Sequence, residues 1–238
     1  MFDIFETLLS KTFFILAISL SFCYFGTQAV LSYFRKLKNN GSPDVTAVYN
    51  EHGQEDLIVN PELIMKPFWI SFAAFILSFI ILLVCKNISV INVLAMLVFT
   101  FSSGVTIGIR LITQDENIGV QVTQLTGLAV LLTAVIGTFP GIDFSFLEGF
   151  LFISLICFLI ASIVRIFVQI SGTARKIFAS IGVALFCAYL LFDFNRLAKF
   201  NEIEVTNTWS TALNLALEIY LDIINLFIQI LNLLSNNN

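Results

Sequence analysis

The sequence predicts an all-α, polytopic membrane protein, and three observations carry that prediction. Of 238 residues, 58% are hydrophobic and 12% charged, with a mean hydropathy of +0.94, whereas soluble domains run about 45–50% apolar and about 25% charged. The apolar residues fall into runs close to the roughly 20 residues that a helix needs to cross a bilayer. Polar, Gly- and Pro-containing links separate those runs. Together they give seven helical spans in one membrane domain, residues 1–238.

The first span is read as Leu8–Phe34. Asp3 and Glu6 precede it where a signal peptide would carry basic residues, and it is too long to be a cleaved leader. Arg35, Lys36 and Lys38 close it. The polar stretch 35–66 follows, longest from Asn39 to Lys66, with Gly41, Pro43 and Pro61 inside it and Pro67 just beyond as breakers. It reads as an exposed loop or short hairpin. Its acids, Asp44, Glu51, Glu55, Asp56 and Glu62, lack the alternating spacing of a calcium loop.

Span two runs Pro67–Cys85 behind the interfacial Trp69, and Lys86–Asn87 begin a short turn. Span three, Val90–Leu111, concentrates small residues at Ser102, Ser103, Gly104, Thr106 and Gly108, a pattern for close helix packing or for a hydrated path. Span four, Val120–Phe139, repeats the pattern at Thr123, Thr126, Gly127 and Thr133 before a tight turn at Pro140, Gly141 and Asp143. Span five is Phe146–Ile170, with Arg165 about one and a half turns from its end, placed to snorkel to the headgroups or to serve as a buried counter-ion. Span six is Ile177–Phe194, the polar link Arg196–Ser210 follows, and Trp209 anchors span seven, Ala212–Leu234.

Composition excludes several function classes. The net charge of −4, without a basic stripe, excludes nucleic acid as a partner. Cys23, Cys85, Cys157 and Cys187 lie in apolar runs and read as small hydrophobes, and with His52 as the lone histidine no zinc site or Ser/His or Cys/His dyad can be built. The chain therefore reads as a non-enzyme without a resident cofactor. Seven basic residues (Arg35, Lys36, Lys38, Lys66, Arg110, Arg175, Lys176) fall on one side and four (Lys11, Lys86, Arg196, Lys199) on the other, which places the N-terminus outside by the positive-inside rule.

The chemistry sits in the last two spans. Asp193 lies at the end of span six and Asp222 near the middle of span seven, with Glu218 one turn earlier on the same helical face. A carboxylate in hydrocarbon costs roughly 2.5–3.5 kcal/mol on insertion scales, so it survives facing protein or water. Span seven also carries Asn214, Asn225, Gln229 and Asn232, which suits the centre of a bundle. Two buried carboxylates within hydrogen-bond reach cannot both ionise cheaply and share a proton. Such a pair is a pH-sensitive latch, and once both protons leave, its oxygens are hard ligands suited to Ca²⁺. The plainer alternative has Asp193 facing headgroup water and Asp222 bonded to a neighbouring Ser or Asn.

The segments AYLLFDFNRL (Ala188–Leu197) and ALEIYLDIINLFIQILNLL (Ala216–Leu234) resemble the last two spans of the Bax inhibitor-1, or transmembrane Bax-inhibitor-motif, family. KTFFILAISLSFCYFG (Lys11–Gly26), TFSSGVTIG (Thr100–Gly108) and TGLAVLLTAVIGTF (Thr126–Phe139) resemble its first, third and fourth. The resemblance implies six helices surrounding a central C-terminal one, an N-terminus in the cytoplasm (against the charge count) and a pH-dependent calcium leak gated by an Asp pair. That pair falls on Asp193 and Asp222, with Glu218 a third member and Lys86 near a basic cluster of bacterial relatives. Two features depart from the family: the long first loop, and a second span without an acidic residue. The resemblance equally allows a non-conducting regulator that binds a membrane protease or cell-death factor through loop 39–66. A bacterial plasma membrane is the expected location, a eukaryotic organelle membrane (ER, Golgi or mitochondrial) the alternative.

Overall fold

A computed structural model describes residues 5–49, 55–85, 89–112, 116–168 and 172–235. Among them seven helices are long and apolar enough to span a membrane, and the chain is a multi-pass membrane protein. In order, the elements are α1 (Leu8–Asn39), β1 (Val45–Tyr49), β2 (Glu55–Val59), α2 (Pro61–Val84), α3 (Ser89–Leu111), α4 (Glu116–Gly137), α5 (Glu148–Phe167), α6 (Gly172–Asn201) and α7 (Trp209–Leu234). Short 3₁₀ turns at Ser145–Leu147 and Glu204–Thr206 precede α5 and α7. The chain forms two compact units, Phe14–Gly119 in one and Met1–Phe13 with Val120–Asn238 in the other.

In the 14–119 unit, glycines let helix backbones touch. A Cβ on Gly104 of α3 would overlap the carbonyl oxygen of Cys23 on α1, and one on Gly26 of α1 would overlap that of Phe101 on α3. Thr27 Oγ1 donates across this contact to the Gly104 carbonyl at 2.9 Å, and Ser71 Oγ on α2 donates to the Ser102 carbonyl at 2.9 Å. Ser103 and Thr106 bond back to their own helix. The small residues of span three therefore serve packing. Phe75 stacks on Phe99 at 4.6 Å on the other flank.

Several boundaries differ from the sequence reading. Helix α1 continues through Arg35, Lys36 and Lys38, because basic residues in a last turn complement the helix dipole. These charges mark where hydrocarbon ends, whereas the helix runs on to Asn39. Of the loop or short hairpin expected within 35–66, the structure shows the hairpin. Strands β1 and β2 pair antiparallel, Val45 opposite Val59, and these two valines are buried with Val30, Phe34 and Ile112. Pro61, read as a breaker, is the first residue of α2, where its missing N–H is not needed, and the Asn60 side chain caps the helix by accepting from the Glu62 N–H at 3.1 Å. Pro67 therefore sits inside α2, and Trp69 two turns into it. His52, Lys86, the first half of the Gln114–Asn117 turn and the end of span five at residues 169–170 lie outside the described residues.

In the second unit α4 starts at Glu116 and α7 at Trp209, a few residues before their predicted spans, while α5 begins after the 3₁₀ turn and ends at Phe167. Arg165 thus falls in the last turn of α5. The largest difference is α6, which extends from Gly172 to Asn201, so Asp193 lies within a helix rather than at its end. Of the link read as Arg196–Ser210, the first six residues are helical. The core is built by Leu190, Phe194 and Leu197 of α6 against Ala212, Leu215, Ala216, Ile219 and Leu226 of α7, all at or near zero exposure. The polar helix α7, with α3, is the most buried of the seven.

Candidate functional site

Helices α6 and α7 are joined by seven residues, Glu202–Thr208, and so run antiparallel. In such a hairpin the residues opposite each other have a constant index sum. Asp193 with Asp222 and Arg196 with Glu218 satisfy that within one residue, which makes two rungs one turn apart.

The inner rung is the carboxyl pair. Asp193 is 5% exposed and Asp222 8%. The carboxyls face each other closely enough for one side-chain hydrogen bond, which exists only while one of them holds a proton. Asp222 Oδ2 is buried with no donor. Asp222 lies 13 residues beyond Trp209, about 20 Å along the helix at 1.5 Å per residue, near mid-bilayer if Trp209 marks the interface. Tyr189, one turn before Asp193, is within electrostatic reach of both aspartates.

The outer rung is the ion pair. Arg196 Nη1 donates to Glu218 Oε2 at 2.9 Å, with the two side chains 39% and 41% exposed, and the guanidinium lies over the Phe200 ring at 5.2 Å. Glu218 acts electrostatically on both aspartates, and Arg196 on Asp193. Glu218 therefore does share a face with Asp222, as the i, i+4 spacing predicts. Arg165 lies instead over the Phe178 ring at 4.3 Å, with Arg175 near it, and the cation facing the aspartates is Arg196. Among the described residues no group of three or more His, Cys, Asp or Glu side chains is arranged to hold a metal ion.

The same end of α6 is clamped to its neighbours. Asn195, 4% exposed, donates from Nδ2 to the carbonyls of Gly137 (3.0 Å) and Ile142 (2.8 Å) and accepts at Oδ1 from the Phe144 N–H (3.1 Å). One side chain thus ties the α4–α5 turn to α6. Gly137 makes room, since a Cβ there would come within 2.8 Å of the Leu191 carbonyl and of Phe194. Outside the spans, Lys199 pairs with Asp143 and also donates to Ser145 Oγ at 2.8 Å. Lys199, with the Ser145 N–H at 2.8 Å, holds the Asp143 carboxyl below the ordinary range, at about 2. Asn201 Oδ1 caps α1 through the Leu9 N–H at 3.0 Å, and Lys11 donates to the Asn207 side chain at 2.8 Å. Sequence reading missed Asn195 and the partner of Arg196. The index sum of the α6–α7 hairpin would have found Arg196, but no local signal marks Asn195.

Two buried acids facing one another on the last two of seven spans correspond to the segments that carried the family resemblance. The family model described as inhibitor of apoptosis-promoting Bax1 matches residues 6–238. The chain belongs to the Bax inhibitor-1 family. It is 32% identical over 150 residues to "Protein LIFEGUARD 1" of Arabidopsis thaliana, covering 61% of each chain. To "Bax inhibitor 1" of Schizosaccharomyces pombe it is 35% identical over 153 residues, 62% of this chain and 54% of that one. To "Uncharacterized protein Cj0236c" of Campylobacter jejuni it is 30% identical over 176 residues, 72% and 73% of the two chains. The match thus spans only about half to three-fifths of the plant and yeast relatives, and the family includes bacterial and eukaryotic members.

Proposed function

We propose that this Bax inhibitor-1 family protein is a pH-sensitive cation leak, with Ca²⁺ as the permeant ion and the Asp193–Asp222 pair as its gate. The observation that carries this reading is the Asp222 carboxyl, which is buried mid-helix opposite a second acid with one oxygen lacking any donor. Such an arrangement is costly in hydrocarbon and useful where protons or cations pass. While the pair shares a proton it is one hydrogen-bonded unit. Loss of that proton leaves two like charges facing each other, and separating α6 from α7 relieves the repulsion. The cation is cargo, and the chain works as a non-enzyme with no resident cofactor.

Ca²⁺ flux into proteoliposomes from about pH 5.5 to about 8.5 tests the proposal. Wild-type flux rises with pH, and Asp193→Asn and Asp222→Asn both abolish the dependence. Flux equal to that of empty vesicles at every pH would refute the leak. In that event the hairpin between α1 and α2 supports a second reading, a non-conducting regulator that docks a membrane partner. There, deletion of residues 40–59 removes partner capture.

A further inference from the structure

The outer rung has a consequence for the inner one. The guanidinium of Arg196 occupies, at 2.9 Å, the Glu218 oxygen that a cation approaching the aspartates from the α6–α7 connection meets first. Glu218 lies one turn nearer that connection than Asp222, and is half-exposed where the aspartates are buried. We infer that Arg196 is a tethered cation that plugs a carboxylate site formed by Glu218, Asp193 and Asp222, and that a divalent cation enters by displacing it from Glu218. The inference rests on the leak reading and adds what competes for its site.

Three observations support it. The Asp222 Oδ2 atom, on a side chain more than nine-tenths buried, has no hydrogen-bond donor and so leaves an acceptor open on the cation's path. Glu218 is held by Arg196 at 2.9 Å, and in that arrangement the three carboxylates, among the described residues, are not gathered into a metal cage. The plug also has somewhere to go. The guanidinium already lies over the Phe200 ring at 5.2 Å and keeps that contact when it leaves Glu218. A bound divalent cation gains more from three oxygens than the arginine gains from one.

Tb³⁺ is the probe, excited through Tyr189, and the full-length protein is studied in detergent so that binding is read without flux. Wild type shows a sensitised signal that Ca²⁺ displaces and Asp222→Asn abolishes. Arg196→Gln tightens apparent Tb³⁺ binding about three- to tenfold, as loss of a competing unit charge beside the site does, Arg196→Lys stays within about twofold of wild type, and Glu218→Gln weakens binding. In the Glu218→Gln background, Arg196→Gln no longer tightens it, because the oxygen it guarded is gone. Binding unchanged or weakened in Arg196→Gln, or tightening that persists without Glu218, overturns the inference. Should Arg196→Gln fail to fold, weakened or unchanged competition by Ca²⁺ in an Arg196→Ala, Phe200→Ala double variant overturns it equally. The predicted binding pattern without vesicle flux would refute the leak and leave the plugged site standing, whereas pH-gated flux with no Arg196 effect on binding would refute the plug alone.

Discussion

Replacing Asn195 with leucine tests whether the clamp between the α4–α5 turn and α6 holds the gate helix in place. Leucine is close in volume, so packing is nearly conserved and the perturbation is the loss of three hydrogen bonds. The Gly137 carbonyl is buried and loses its partner to an apolar side chain, which costs about 1–3 kcal/mol. The Ile142 carbonyl and Phe144 N–H sit in a partly exposed turn where water can replace the amide, at about 0.5–1 kcal/mol each. The total is about 2–5 kcal/mol, or about 4–20 °C in Tm for a chain of this length. Thermal unfolding in detergent by near-ultraviolet circular dichroism measures it, with Lys199→Ala as comparison. Lys199 is a half-exposed partner whose loss costs under about 1 kcal/mol. A Tm drop for Asn195→Leu no larger than that of Lys199→Ala would refute the reasoning, since a buried, thrice-bonded amide would then hold no more than a surface ion pair.

Further expectations concern packing and pH. Gly104→Ala pushes a methyl into the Cys23 carbonyl and destabilises by about 1–3 kcal/mol or more, while Gly127→Ala, with open space at its Cβ, is neutral or stabilising by up to about 1 kcal/mol; paired thermal melts separate the two. Asp143 has a folded-state pKa depressed from 3.8 to about 2. Its contribution is therefore fully present above about pH 4 and lost as pH falls toward 2. Asp143→Asn accordingly leaves the midpoint of any flux change between about pH 5.5 and 8.5 unmoved, and a shifted midpoint would implicate the Asp143–Lys199 contact in gating.

The spans were legible because bilayer thickness imposes a length and an apolarity that composition displays directly. Helix ends were not, since the same physics marks only where hydrocarbon stops. Arg35–Lys38 and Arg196–Lys199 are charged segments that leave the apolar run while remaining helical, and Pro61 and Pro67 looked like breakers because their position relative to a helix start was unknown. The carboxylates stood out because charge in a span is conspicuous. What flanks them depends on contacts distant in sequence: Asn195 reaches a turn more than fifty residues away, and Arg196 reaches Glu218 only once α6 and α7 fold back on each other.

The glycine contact between α1 and α3 has a practical consequence for probing the protein. Cys23 lies with its own backbone pressed against Gly104, and its side chain is 6% exposed. Water-soluble reagents do not reach that sulfur in the packed arrangement, and Cys157, though exposed, lies within the membrane-spanning helix α5. The wild-type chain thus carries its own reporter of packing around Cys23, and alkylation of that thiol by a membrane-permeant reagent would time any opening of the 14–119 unit without a label being introduced.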